Sequence, residues 1–153
     1  MEKPKILVGF EYSGIVRDAF LERGFDAWSC DIEPTESKPE RHYQQDIFFA
    51  LYRDNWDLII LHPPCTKVCV SGNRWYGAGM PRHDERLDDM AWTEDVWDEA
   101  CGICDHVVLE NPVGVLPVPF TQFVQPWQFG HPETKKTGLR LKNLPPLVPT
   151  NGS

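Results

Sequence analysis

The chain has 153 residues, 41% of them hydrophobic and 25% charged, a balance that suits one globular domain with its own core. A net charge of −8 argues against a surface coated for DNA binding, although it leaves room for a local basic patch. No apolar run reaches the roughly 18–20 residues that span a bilayer, and no signal-peptide pattern opens the chain. Five cysteines, an odd number, suit free thiols better than a disulfide framework, so a reducing cytoplasm is the expected compartment.

In chain order, KILVGF (5–10) is a short apolar run of β-formers that reads as a strand buried on both faces. It breaks at EYSG (11–14). Ile15, Val16, Ala19 and Phe20 then recur at helical spacing until Gly24. DAWSCDIE (26–33) is a second strand, YQQDIF (43–48) a weak third ending near Asp46, and WDLIIL (56–61) a fourth. Residues 66–82 read as a long loop. From His83 to Cys104 the residues Leu87, Met90, Ala91, Trp97, Ala100, Cys101 and Cys104 form an apolar helical stripe with acidic residues opposite. DHVVLE (105–110) is a fifth strand, and two short strands are expected near 122–128 and 138–142. No repeat, low-complexity segment or domain boundary appears, so residues 1–153 read as one domain.

This alternation predicts an α/β fold, a mostly parallel sheet with helices on both faces. Such sheets bind ligands beyond the carboxyl ends of their strands. Glu11 to Gly14, Asp31, Asp46, Cys65 and Glu110 each follow a predicted strand, so all of them face one crevice.

Each candidate has a plainer reading beside it. The small-residue turn in GFEYSGIVRDAF lets a ligand approach a helix N-terminus, yet it lacks a full G-x-G-x-x-G and is also a common βα turn. Asp31 stands about where nucleotide-binding folds place an acid for ribose hydroxyls, or it is a solvated carboxylate. Asp46 can accept from an adenine amino group or cap a helix. Cys65, held behind Pro63-Pro64, is placed as a nucleophile, against an inert core cysteine. VVLENPVGV delivers Glu110 and Asn111 to the neighbouring strand end, where a half-buried carboxyl can donate to a ring nitrogen. Cys65-x₃-Cys69 with Cys101-x₂-Cys104 could supply four thiolates to zinc, but the second pair falls on the helical stripe, which favours packing. His131, Lys135, Lys136, Arg140 and Lys142, beside Trp127 and Phe129, suit phosphates and bases or form a solvated face.

Read in order, these motifs resemble the S-adenosylmethionine-dependent cytosine-C5 DNA methyltransferases, especially the small ones of phages and prophages. FEYSG resembles their cofactor loop, CDIE the ribose-binding segment, QDI the adenine-binding segment, HPPCT…SG the Pro-Cys motif and ENP the Glu-Asn-Val motif. FGHPETKKT is similar to a later motif that approaches the DNA backbone. The resemblance runs from about residue 5 to 142. Pro112 departs from the usual valine, and Glu133, Lys135 and Thr137 stand where the family prefers Gln and two arginines.

The resemblance implies a Rossmann-like methyltransferase fold without a separate target-recognition domain. It also implies S-adenosylmethionine as cofactor, held by Phe10, Glu11, Ser13, Gly14, Asp31, Ile32, Asp46, Ile47 and Pro63. Cys65, Glu110 and Asn111 would be catalytic, and Pro64, Arg74, Trp75, Lys135 and Lys136 would meet the substrate. That substrate would be DNA cytosine, single-stranded or weakly specified, or a cytosine nucleotide, with a protein partner able to supply target recognition. A bacterial or phage-infected cytoplasm is the implied setting. The competing reading is a degenerate methyltransferase fold that binds protein or nucleic acid.

Overall fold

A computed structural model of the protein describes residues 2–64, 78–112, 121–124 and 137–148. Over these it forms a seven-stranded sheet of β1 (Lys5–Gly9), β2 (Asp26–Asp31), β3 (His42–Gln44), β4 (Leu58–Leu61), β5 (Val107–Pro112), β6 (Gln122–Val124) and β7 (Thr137–Lys142). The strand order is β3-β2-β1-β4-β5-β7-β6. The pairings from β3 across to β5 are parallel, and β7 runs antiparallel to both β5 and β6. Helices α1 (Ile15–Glu22), α2 (Ile47–Leu51) and α3 (His83–Ile103) complete the described architecture with a short 3₁₀ turn, Pro39–Arg41.

Alternation along β1 divides the core between the two sheet faces. Ile6, Val8 and Ala27 pack with Val16, Phe20 and Leu21 of α1. Leu7, Ile59, Leu61, Val107 and Leu109 pack on the other side with Ala50 and Leu51 of α2 and Val96, Trp97 and Ala100 of α3. The expected mostly parallel sheet covered on both faces is what forms. Gly9 allows the closest approach, because a Cβ there would come within 2.7 Å of the Ile47 side chain and 2.9 Å of Leu61.

Three expected elements differ. The run read as a strand over 43–48 stops at Gln44, and α2 begins at Ile47. Asp46 explains the switch: its carboxylate accepts from the Phe48 N–H and caps the new helix. The α3 stripe is also rotated. Leu87 and Ala91 are exposed, while Arg86, Thr93, Val96, Trp97 and Ala100 are buried. Arg86 and Leu87 are neighbours, about 100° apart around the helix, so apolarity alone picked the wrong face for that half. Polar side chains can take the inward face when they have partners; the Thr93 hydroxyl donates to Asp89 O at 2.9 Å.

The third difference concerns the basic cluster. Arg140 lies over the Trp97 ring, 4.4 Å from its centroid, and pairs with Glu94 at 2.8 Å. The Lys142 ammonium donates to the Cys101 and Cys104 carbonyls at 2.7 and 2.8 Å, satisfying the end of α3. Both charges, read as phosphate-facing or solvated, tie β7 to the helix. Among the described residues no helix is long and apolar enough to cross a membrane.

Candidate functional site

At the carboxyl ends of the strands the order turns about β1 and β4, the switch point where open α/β sheets open a crevice. A hollow of about 380 Å³ lies there, walled by Phe10, Tyr12, Ile32, Ile47, Pro64 and Trp92, with Asp31, Glu33 and Asp46 among its polar lining. Phe10 follows β1 with φ of 63°, a backbone conformation uncommon for a residue with a side chain, and its ring meets Trp92 edge-on at 5.4 Å. The wall is therefore aromatic and aliphatic, and the side-chain charges in it are acidic. Two larger hollows, about 650 and 580 Å³, lie at the amino-terminal end around Lys5, where this class of sheet does not place its ligand.

The turn from β1 into α1 is built from its own residues. Gly14 has φ of 79°, and a Cβ there would come within 2.3 Å of the Arg17 guanidinium. The buried Glu11 carboxylate accepts from the Val16 and Arg17 N–H groups at 3.0 and 3.1 Å. This carboxylate thus occupies the helix N-terminus that would otherwise attract a phosphate. Ser13 accepts from Ile15 N at 3.3 Å. Glu11, Ser13 and Gly14, expected around the cofactor, support the hollow without lining it.

Arg17, wholly buried, fastens the loop after β2. Its guanidinium donates to Ser29 Oγ at 2.9 Å, to Ser37 O at 2.6 Å and to the Asp18 carboxylate at 2.9 Å. Burial pushes the Asp18 carboxyl up, but hydrogen bonds from Arg17 and Ser37 outweigh it and hold the group below its ordinary range. Tyr12 O accepts from Glu36 N at 2.9 Å and from the Thr35 hydroxyl at 2.7 Å. Sequence reasoning missed this network, since a lone Arg on a helix reads as surface.

Asp31 closes β2 and accepts from Glu33 N at 2.9 Å, which folds the chain around the rim. Ile32 is largely exposed beside it, whereas Ile47 is buried in the wall. Asp46 caps α2 with Oδ1, so of its two sequence readings the helix cap is realised. Cys30, also in the wall, donates its thiol to Gln45 O at 3.2 Å; burial and then Asp31 push that thiol up to about 12. Burial likewise raises the Cys101 and Cys104 thiols. Cys104 belongs to the core and donates to Trp56 O at 3.2 Å.

Beside the hollow, Pro63 is buried and Pro64 exposed where the chain leaves β4. Cys65, Cys69, Arg74, Trp75, His131, Lys135 and Lys136 lie outside the described residues. Leu61 stands opposite Leu109, so the residues that follow, His62 and Glu110, emerge together. Their side chains meet, His62 Nδ1 to Glu110 Oε2 at 2.7 Å. Asn111, next along β5, is buried, and neither its Nδ2 nor His62 Nε2 has a hydrogen-bond partner among the described residues. Each such atom costs roughly 1–3 kcal/mol if nothing meets it. His62 was passed over in the sequence because its partner is 48 residues away.

No protein-family model matches the chain, and no curated protein sequence does. Solved structures do. The bifunctional kinase-methyltransferase WbdD matches at 12% identity with a TM-score of 0.55, over 95% of this chain and 36% of that one. A protein from Escherichia coli, described as a candidate DNA modification methyltransferase encoded within a prophage, matches at 13% identity with a TM-score of 0.50, over 91% of this chain and 46% of that one.

Proposed function

With the α/β fold established as Rossmann-like and methyltransferase-type, and with the chain spanning less than half the length of those two structures, we propose that this protein transfers a methyl group from S-adenosylmethionine to C5 of cytosine in DNA. The observation that carries this is the adjoining of two features. An acidic-rimmed aromatic hollow over β1 and β2 lies beside the place where the β4–β5 pairing ends and the chain presents Pro63-Pro64 and Glu110.

The hollow suits an adenosine-bearing cation. Phe10, Tyr12, Ile47 and Trp92 offer flat apolar walls for a purine. Asp31 would accept from ribose hydroxyls, and Glu33 and Asp31 would favour a positively charged tail. A dinucleotide fits poorly, because Glu11 already fills the α1 N-terminus that would cradle a pyrophosphate. The cofactor, when bound, supplies an electrophilic methyl group on a sulfonium.

The remaining steps belong to the chain. Cys65 as thiolate adds to C6 of the ring, forming an S–C bond while Glu110 holds N3 and lets negative charge reach C5. After C5 is methylated, a base removes its proton, the S–C bond breaks and the aromatic ring returns. Pro63-Pro64 direct the thiol, and Asn111 steadies the ring edge from β5.

Unpaired cytosine is the preferred target. Duplex binders draw much of their affinity from neutralised phosphates, and here Arg140 and Lys142 are committed to α3 against a net charge of −8. Extruding a base from a paired stack would add a few kcal/mol. The test combines calorimetry of S-adenosylmethionine and S-adenosylhomocysteine with 5-fluorocytosine DNA, single- and double-stranded. Cofactor binding and a covalent adduct on Cys65, stronger on single strands, are expected. Cofactor binding with no adduct on any substrate would point to a binding module instead, and no binding of either cofactor form would refute the pocket assignment.

A further inference from the structure

Glu110 and His62 stand just past the point where the parallel pairing of β4 and β5 ends, and the contact between them is not an accident of two flexible surface chains. The His62 main chain is anchored on a third strand, its N–H donating to Gly9 O at 3.1 Å. The side chains are 28% and 31% exposed, sheltered at the edge of the cleft. Nδ1 and Oε2 are 2.7 Å apart, within direct proton-transfer range. On the far side of the ring Nε2 is buried without a described partner, and so is the amide nitrogen of Asn111, one residue beyond Glu110. Buried polar groups are nearly always satisfied, so the orphan nitrogen on the ring that meets this carboxylate marks a place where something else completes the bonding, whereas Asn111, the next residue of the strand, belongs to the opposite sheet face.

We infer that His62 is the positioning residue and proton store of Glu110. This rests on the cytosine reading above and deepens it. A carboxyl group that must hand a proton to a ring nitrogen needs a supply next to it. With the imidazole doubly protonated and the carboxylate ionised, the Nδ1–H bond breaks as an O–H bond forms on Glu110. The pair is then neutral imidazole and carboxylic acid. As the thiolate adds to C6, that O–H bond breaks and N3 takes the proton. When the S–C bond later breaks, N3 returns the proton to Glu110, and the carboxyl returns it to Nδ1. The proton cycles with none gained or lost; the C5 proton leaves separately to its own base.

The variants that test this are His62→Gln and His62→Ala, alone and with Glu110→Gln. Glutamine keeps a hydrogen-bond donor but cannot store a proton. Both His62 variants should bind S-adenosylhomocysteine within about twofold of wild type, keep their KM for single-stranded DNA, and lose about 100-fold or more in kcat. Adding Glu110→Gln should cause little further loss, because the two residues act as one unit. Added imidazole should restore part of the activity of His62→Ala. A kcat within about threefold of wild type in His62→Gln, with methyl transfer by the wild type, overturns the role of His62 and leaves the cytosine reading intact. Loss of all methyl transfer in the wild type overturns both. Should His62→Ala fail to fold, His62→Gln decides the matter by the same numbers.

Discussion

Over β1 and β2, the polar groups at the strand ends find their partners within the chain. Glu11 caps α1, Arg17 gathers Asp18, Ser29 and Ser37, and Asp31 folds the rim through Glu33 N. Over β4 and β5 the corresponding positions are less complete. His62 and Glu110 have each other, while His62 Nε2 and Asn111 Nδ2 have no described partner. On the proposed reading, the first region is a socket built before its cofactor arrives and the second holds polar atoms in reserve. Enzymes that bind a cofactor and then a substrate benefit from this division, since a preorganised first site costs little to fill. Electrostatic groups at the reacting end must instead be aimed at charge that develops later.

The comparison breaks most severely at Arg17. Arg17→Met should leave Asp18 and the oxygens of Ser29 and Ser37 short of donors in the interior, a loss of about 3 kcal/mol or more. Chemical denaturation should show it as a lower midpoint, with the hollow over β1 and β2 lost as the 33–38 loop comes free. Little change in the midpoint would mean that the network is dispensable to the socket.

Two acids on the rim sharpen the comparison. Asp31→Ala should weaken S-adenosylmethionine binding by about 1–3 kcal/mol in calorimetry, the scale of a hydrogen bond to a charged group, with the fold kept. Asp46→Ala should do the reverse: lose about 1 kcal/mol of stability as the α2 cap disappears and bind the cofactor nearly as before. Equal losses of affinity in both would return Asp46 to the adenine contact that the sequence also allows.

A smaller effect concerns alkali. Burial raises the Cys30 thiol from 9.0 to about 12 in the folded chain. Between those values the folded protein keeps a proton that the unfolded chain has released. The thiol's contribution is therefore complete below the unfolded value and is lost as pH rises toward the folded one. At pH 9.5 the loss is under about 1 kcal/mol, and Cys30→Ala should flatten that part of the stability curve. The same property should leave Cys30, Cys101 and Cys104 slow to alkylate at pH 8, so that rapid labelling by iodoacetamide falls on Cys65 or Cys69.

The amino-acid sequence by itself determined the β1, β4 and β5 runs, the α1 turn and the order of motifs along the crest. Apolar residues in short β-forming runs have few other stable arrangements, and glycine with φ of 79° has few replacements at position 14. The α3 face, the fate of the basic cluster and the partner of Glu110 were decided only by tertiary structure. Arg86 and Thr93 point inward, and Arg140 and Lys142 serve a helix about 40 residues earlier in the chain. His62 becomes notable only because Leu61 pairs with Leu109. Local periodicity specifies which element forms and, in the short β-forming runs, that its residues are buried, whereas strand register decides which polar atoms are left facing one another. The second property depends on how distant strands align, and no window along the chain contains it.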